Sequence, residues 1–165
     1  GMYYFAAGIE SGSPEIQKII KKNLNHARAF QAIEDASKIG IIVHGLFMMG
    51  FPGETEEQLK MTINFAQKSS LNTAGFFAVT AYPETELYEM AKKIGVPLQD
   101  DFDTYHYHNT TLNLTGVSLS RLRALRKEAY WKFYFNPVRI YKIISMTPRK
   151  TDILTNLKMH SRDFF

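Results

Sequence analysis

The chain contains no cysteine among its 165 residues. Disulfides, zinc–thiolate sites and cysteine-ligated iron–sulfur clusters are therefore excluded within it. It also lacks any apolar run near the roughly 20 residues of a membrane-spanning helix. No basic-then-apolar signal segment opens it. These absences point to a soluble, cytoplasmic setting. Acidic residues are scarce only in the tail: residues 1–117 carry 9 Lys/Arg and 13 Asp/Glu, residues 118–165 carry 11 and 3. The net charge of +4 thus belongs to the last third of the chain, and the surface as a whole does not read as a nucleic-acid binder.

What is present is alternation. Apolar residues make up 45% of the chain, enough for one domain with a real core. Tyr3 to Ile9 is a continuous aromatic and apolar run, which suits a strand buried on both faces. Ser13-Pro14-Glu15 then starts a short helix: Ser caps, Pro takes the first helical position, and Glu meets the positive end of the dipole. Asn25 caps a second helix with Phe30, Ile33, Ala36 and Ile39 at helical spacing, stopped by Gly40. Ile41 to Met49 is the next strand. Thr55 and Gln58 form a capping box for a helix to about Ser69. Ala74 to Thr80 is a third strand, and Leu87 to Ile94 a helix. Strand, loop and helix recur three times, so the class is α/β, with parallel strands and functional loops at their C-terminal ends.

Residues 96–117 read as an irregular connection after a unit spanning 1–95. A basic helical extension, 118–165, completes the chain. Its first helix, Ser118 to Phe135, places Leu119, Leu122, Leu125, Ala129 and Phe133 on one face. Pro137 breaks it, a further helix runs to about Met146, and a short one covers roughly Thr151 to Met159. Clustered cations with Tyr130, Trp131, Tyr134 and Phe135 suit either a membrane-surface helix, an anionic-substrate lid, or an amphipathic helix packed on the domain. The packed helix is the favoured reading.

The three strand-end loops are "GIESGS", "MGFPGET" and "AYPETELY". Each sets Gly or Pro beside a carboxylate or hydroxyl, the composition of a ligand-binding rim. In sequence, "GIESGSPEIQKIIKKN", "HGLFMMGFPGETEEQLKMTINFA" and "FFAVTAYPETELYEMAKKIG" resemble the last three β/α units of a radical S-adenosylmethionine enzyme. The likeness is strongest to the subgroup associated with cobalamin-binding domains, such as oxidative cyclases of magnesium-protoporphyrin monomethyl ester and methylases. It covers residues 3–95 and implies half of a (β/α) TIM-like partial barrel. In that family a four-iron cluster reduces S-adenosylmethionine to a 5′-deoxyadenosyl radical that abstracts hydrogen, for cyclisation or methylation. The resemblance implies Glu10, Ser11 and Ser13 at the ribose and methionine end. It implies Met48, Gly50 and the backbone of Phe51, Pro52 and Gly53 as the adenine-side wall, and Ala81, Tyr82 and Pro83 as further backbone contacts.

Departures accompany it. Gly53 stands where the family's Gly-x-Ile-x-Gly-x-x-Glu pattern has glutamate, and Glu54 falls one place late, where it reads as support for the first turn of its helix. Glu84 stands where glycine is common. The cluster's three-cysteine loop is absent, so the resemblance implies an upstream half of the same polypeptide that holds the 4Fe-4S cluster; it leaves open whether a separate upstream domain for cobalamin exists. The chain then reads as a fragment, inactive alone, whose unpaired sheet edges favour self-association. The alternative is a non-catalytic α/β module binding a nucleotide or a partner. His106 to His108 with Asp103 reads as a solvated or substrate-facing loop rather than a metal site; His26 and His44 read as structural.

Overall fold

The computed structural model describes residues 1–96, 98 and 112–146. Asp103, His106 to His108 and the helix expected over 151–159 lie outside the described residues. In chain order the elements are β1 (Tyr4–Glu10), α1 (Pro14–Ile19), α2 (His26–Lys38), β2 (Ile42–Met49), α3 (Glu56–Lys68), β3 (Thr73–Ala78), α4 (Glu86–Lys93), α5 (Leu119–Tyr134) and α6 (Pro137–Met146). The strands form one parallel sheet in the order β1-β2-β3. Parallel strands alternating with helices in an open sheet make half of a TIM-like barrel, followed by C-terminal helices.

The helix starts are built by local chemistry. Ser13 Oγ accepts the Ile16 amide at 3.3 Å, and Asn25 Oδ1 accepts that of Arg28 at 3.0 Å. Thr55 and Gln58 make the reciprocal capping box. Thr85 and Ser118 cap α4 and α5 in the same manner.

One face of the sheet carries the core. Ile9, Val43, Phe47, Met49, Ala74 and Phe76 pack with Ile33 of α2, Leu59 and Ile63 of α3, and Leu122, Leu125 and Phe133 of α5. The Phe47 and Phe76 rings stack at 5.2 Å, and Tyr130 meets Phe76 edge-on at 5.1 Å. The opposite face is not covered to the same degree. β1, expected to be buried on both faces, leaves Tyr4 and Ala6 exposed while Ile9 is buried. The reason is that the helices packed in the core all lie against one face.

The β3 edge is not bare. Tyr134 Oη accepts the Ala74 amide at 3.1 Å and donates to the Ala74 carbonyl at 2.8 Å. One turn earlier, Tyr130 Oη accepts the Phe76 amide at 3.1 Å and donates to its carbonyl at 3.4 Å. Two phenols thus occupy the ladder positions that an added strand would use. The helix is packed on the domain through these rings and through buried Leu122, Leu125, Ala129 and Phe133. Replacing both tyrosines by phenylalanine is expected to accelerate hydrogen exchange at the Ala74 and Phe76 amides and to lower stability by roughly 2 kcal/mol. Unchanged exchange at those two amides would refute the edge-capping role.

Candidate functional site

All three strand C-termini lie on one rim. Met49 stands opposite Ala78, and Glu10 opposite Phe47, so β1 ends about three residues, roughly 10 Å, short of the Gly50 corner. The loops beyond the strands share a small core of their own. Ile16 behind the first loop, Phe51 in the second, and Val79 and Ala81 in the third pack together with Leu114, and Met48 packs partly against them. Burial of these side chains therefore draws the three corners into one neighbourhood.

Glu10 is aimed by a bulge. The pairing shifts between Gly8 and Glu10, and Glu10 adopts φ 63°, a left-handed conformation uncommon outside glycine. Its Oε1 pairs with Lys22 Nζ at 2.8 Å. That ion pair lies across Gly8: a Cβ there would stand 2.8 Å from Glu10 Oε1 and 2.9 Å from Lys22 Nζ. Gln17, almost fully buried in α1, pins the bulge by donating to the carbonyls of Ile9 at 2.6 Å and Ser11 at 2.7 Å.

Ser11 and Ser13, the residues that the resemblance implied at the methionine end, hold the corner from inside. Both are fully buried. Ser11 Oγ bonds Thr62 Oγ1 at 3.2 Å and accepts the Ser13 amide; Ser13 Oγ donates to Glu15 and caps α1. The Gly12 amide donates to Thr62 Oγ1 at 2.9 Å. A Cβ on Gly12 would lie 2.6 Å from the Met61 carbonyl oxygen, so this corner presses against the α3 backbone and leaves the serines inside. Their hydroxyls hold the corner together. His26 Nε2 bonds the Ser11 carbonyl at 2.9 Å, and His44 Nδ1 bonds Thr73 Oγ1 at 2.7 Å.

The second corner turns on Glu54. Instead of lying along the first turn of α3, its side chain folds back under the loop, fully buried, and Oε2 accepts the amides of Gly50 at 2.8 Å and Phe51 at 3.1 Å. Oε1 is buried without a hydrogen-bond partner. Burial pushes the carboxyl up to about 7, against the two amides, which lower it. The first turn of α3 is served by Glu56, which Arg121 and then Lys60 hold down to about 2. Phe51 is buried, Pro52 half-buried and Gly53 exposed. In the third corner Ala81 is buried, while Tyr82 is exposed and its carbonyl accepts from Thr85 Oγ1 at 2.6 Å. Pro83 is half-buried.

The residues that the sequence did not single out are Lys22, Gln17 and Thr62. The signal available for Gln17 was a lone amide beside Ile16 in a six-residue helix. For Thr62 there was none, because its partner lies about fifty residues away.

A parallel half-barrel with glycine-and-oxygen corners gathered on one rim is a ligand-binding α/β scaffold. Residues 1–66 match the Radical SAM superfamily, and the chain belongs to it. The chain is also similar to curated proteins. The chain is 34% identical to an uncharacterized methyltransferase of Pyrococcus horikoshii, over 83% of this chain and 30% of that protein. It is 28% identical to the bacteriochlorophyllide d C-12(1)-methyltransferase of Chlorobaculum tepidum, over 79% of this chain and 29% of that one. It is 29% identical to the ribosomal protein uS12 methylthiotransferase RimO of a Shewanella species, over 72% and 25%. The chain thus spans less than a third of the length of these relatives.

The family implies S-adenosylmethionine and a 4Fe-4S cluster. Toward S-adenosylmethionine the rim offers a half-buried carboxylate, Glu10, paired with Lys22 above Gly8, a chemistry compatible with ribose hydroxyls. It does not fit the cluster, since the sequence has no cysteine, and no step through the cluster is assigned to these residues. Among the described residues, no helix is long and apolar enough to cross a membrane.

Proposed function

We propose that this chain forms the adenosyl-facing part of a radical S-adenosylmethionine enzyme that transfers a methyl or methylthio group in the cytoplasm. The observation that supports it is the Glu10 bulge on the same rim as the Gly50 corner. A strained, cation-held carboxylate at a strand end is placed to accept hydrogen bonds from the vicinal hydroxyls of a ribose. Methyl or methylthio transfer is favoured over oxidative cyclisation because all three relatives bear such names.

In this reading Lys22 orients the Glu10 carboxylate, and Gly8 leaves room for the pair. Met48 and the corner from Gly50 to Gly53 lie beside the purine, and Ala81 to Pro83 add main-chain contacts from the third corner. Once bound with the cluster, S-adenosylmethionine supplies a 5′-deoxyadenosyl radical for hydrogen abstraction. The cluster ligands, and cobalamin where it takes part, belong to other portions of the same polypeptide. That upstream portion is the partner, and it docks at the β1 side, because Tyr130 and Tyr134 occupy the β3 edge; self-association through the sheet is confined to the same side.

Glu10→Gln in the complete polypeptide is expected to weaken binding of S-adenosylhomocysteine roughly tenfold or more by calorimetry, the cost of exchanging a charged acceptor for a neutral one. An unchanged dissociation constant would defeat the ribose assignment.

A further inference from the structure

A glycine-rich strand-to-helix corner is the usual place for a phosphate, because its free amides and the helix dipole converge there. Here the corner runs Gly50-Phe51-Pro52-Gly53 into α3, and its donors can be followed one by one. The amides of Gly50 and Phe51 go to Glu54 Oε2. Pro52 has none. The Gly53 amide goes to the Leu114 carbonyl at 2.8 Å, the Glu54 amide to the Phe51 carbonyl at 3.0 Å, and the Thr55 amide to Gln58 Oε1 at 3.0 Å. Among the described residues, the carbonyls of Pro52 and Gly53 receive no hydrogen bond.

We propose that Glu54 is the built-in occupant of this anion nest and thereby sets ligand selectivity. The corner offers acceptors to the amine edge of an adenosyl group and refuses phosphate. The proposal rests on the adenosyl reading for what enters, and on Glu54 alone for what is kept out. The carboxyl sits where a phosphate oxygen would sit, tethered to the same loop and sealed from solvent. A competing anion must therefore displace an intramolecular partner held at high effective concentration. A proton on Oε1, which bonds nothing, leaves both Oε2 contacts in place, so occupancy persists in either protonation state.

The test uses the complete polypeptide with three probes: S-adenosylhomocysteine and ADP by calorimetry, and inorganic phosphate by phosphorus NMR line width. The wild type is expected to bind S-adenosylhomocysteine, with neither ADP nor phosphate competing. Glu54→Ala empties the nest and is expected to raise ADP affinity relative to S-adenosylhomocysteine by about tenfold or more, with phosphate broadening. Glu54→Gln keeps an oxygen on both amides and is expected to refuse phosphate as the wild type does. ADP binding by the wild type on a par with S-adenosylhomocysteine overturns the proposal. So does phosphate binding by Glu54→Gln equal to that of a folded Glu54→Ala, and so does unaltered selectivity in folded Glu54→Ala. Should Glu54→Ala fail to fold, the wild-type and Glu54→Gln arms decide. Phosphate gained by Glu54→Ala with no S-adenosylhomocysteine binding in the wild type would sink the adenosyl reading and leave the nest assignment standing.

Discussion

Between pH 4.5 and pH 7 the unfolding free energy of the wild-type chain is expected to fall by about 3 kcal/mol through Glu54, and that contribution is expected to vanish in Glu54→Gln. The sign follows from where the proton binds more tightly. Burial raises the folded-state value to about 7 from an ordinary 4.5, and the amides of Gly50 and Phe51 offset only part of that. Below pH 4.5 both states hold the proton and the stabilisation is complete. As pH rises, the unfolded chain releases its proton first, and the folded chain is left to ionise a sealed carboxyl with one unpartnered oxygen. Glu56 titrates in a lower window and with the opposite sense, because Arg121 and Lys60 stabilise its charged form. Its contribution is lost as pH falls from 4.5 through about 2, outside the range where Glu54 acts. Urea titrations of the two proteins at pH 4.5, 6 and 8 measure the difference. Parallel pH profiles for wild type and Glu54→Gln would show that the carboxyl is solvated.

The second large effect is at Arg139. This guanidinium is buried and, among the described residues, meets no carboxylate; it closes the C-terminal end of α3 from the start of α6. Nη1 donates to the Phe133 carbonyl at 3.0 Å, and Nη2 to the carbonyls of Ser69 at 2.8 Å and Gln67 at 3.2 Å, while the plane lies 3.6 Å over the Phe133 ring. Desolvation lowers its value to about 10, which still leaves it cationic at neutral pH, where it complements the negative end of the α3 dipole. Arg139→Met keeps the aliphatic bulk and strands these carbonyls, at an expected cost of about 3–5 kcal/mol in denaturant unfolding. Arg139→Lys should recover only part of it, since an ammonium cannot span carbonyls from two segments. A loss under about 1 kcal/mol for Arg139→Met would mean that the carbonyls find water instead.

The two effects share a cause that reading along the chain does not reach. Ser13, Asn25 and the Thr55–Gln58 pair were legible as helix starts because each cap and its partner lie within three residues. The three-fold alternation was legible because strand and helix periods are properties of short segments. Glu54 was misread for the same reason: four residues from Gly50, it could equally serve the helix after it or the loop before it. The inward rotamer goes with a loop that the segment around Leu114 closes, its carbonyl taking the Gly53 amide and its side chain packing with Phe51.

By itself the sequence determined the α/β class, the order of elements, the strand-end position of Glu10 and the absence of any cluster ligand. Tertiary structure alone decided that Ser11 and Ser13 face inward against Thr62 and Glu15, that Lys22 meets Glu10, and that the α5 tyrosines close the β3 edge. It also decided that Arg139 joins the two ends of the C-terminal helices to α3. The division is physical. Caps and periodicity are fixed by covalent neighbours within a turn, whereas a buried polar group takes whichever partner the packed chain brings to it, from Ser11 to Thr62 or from Ala74 to Tyr134, and that partner is set by the fold as a whole.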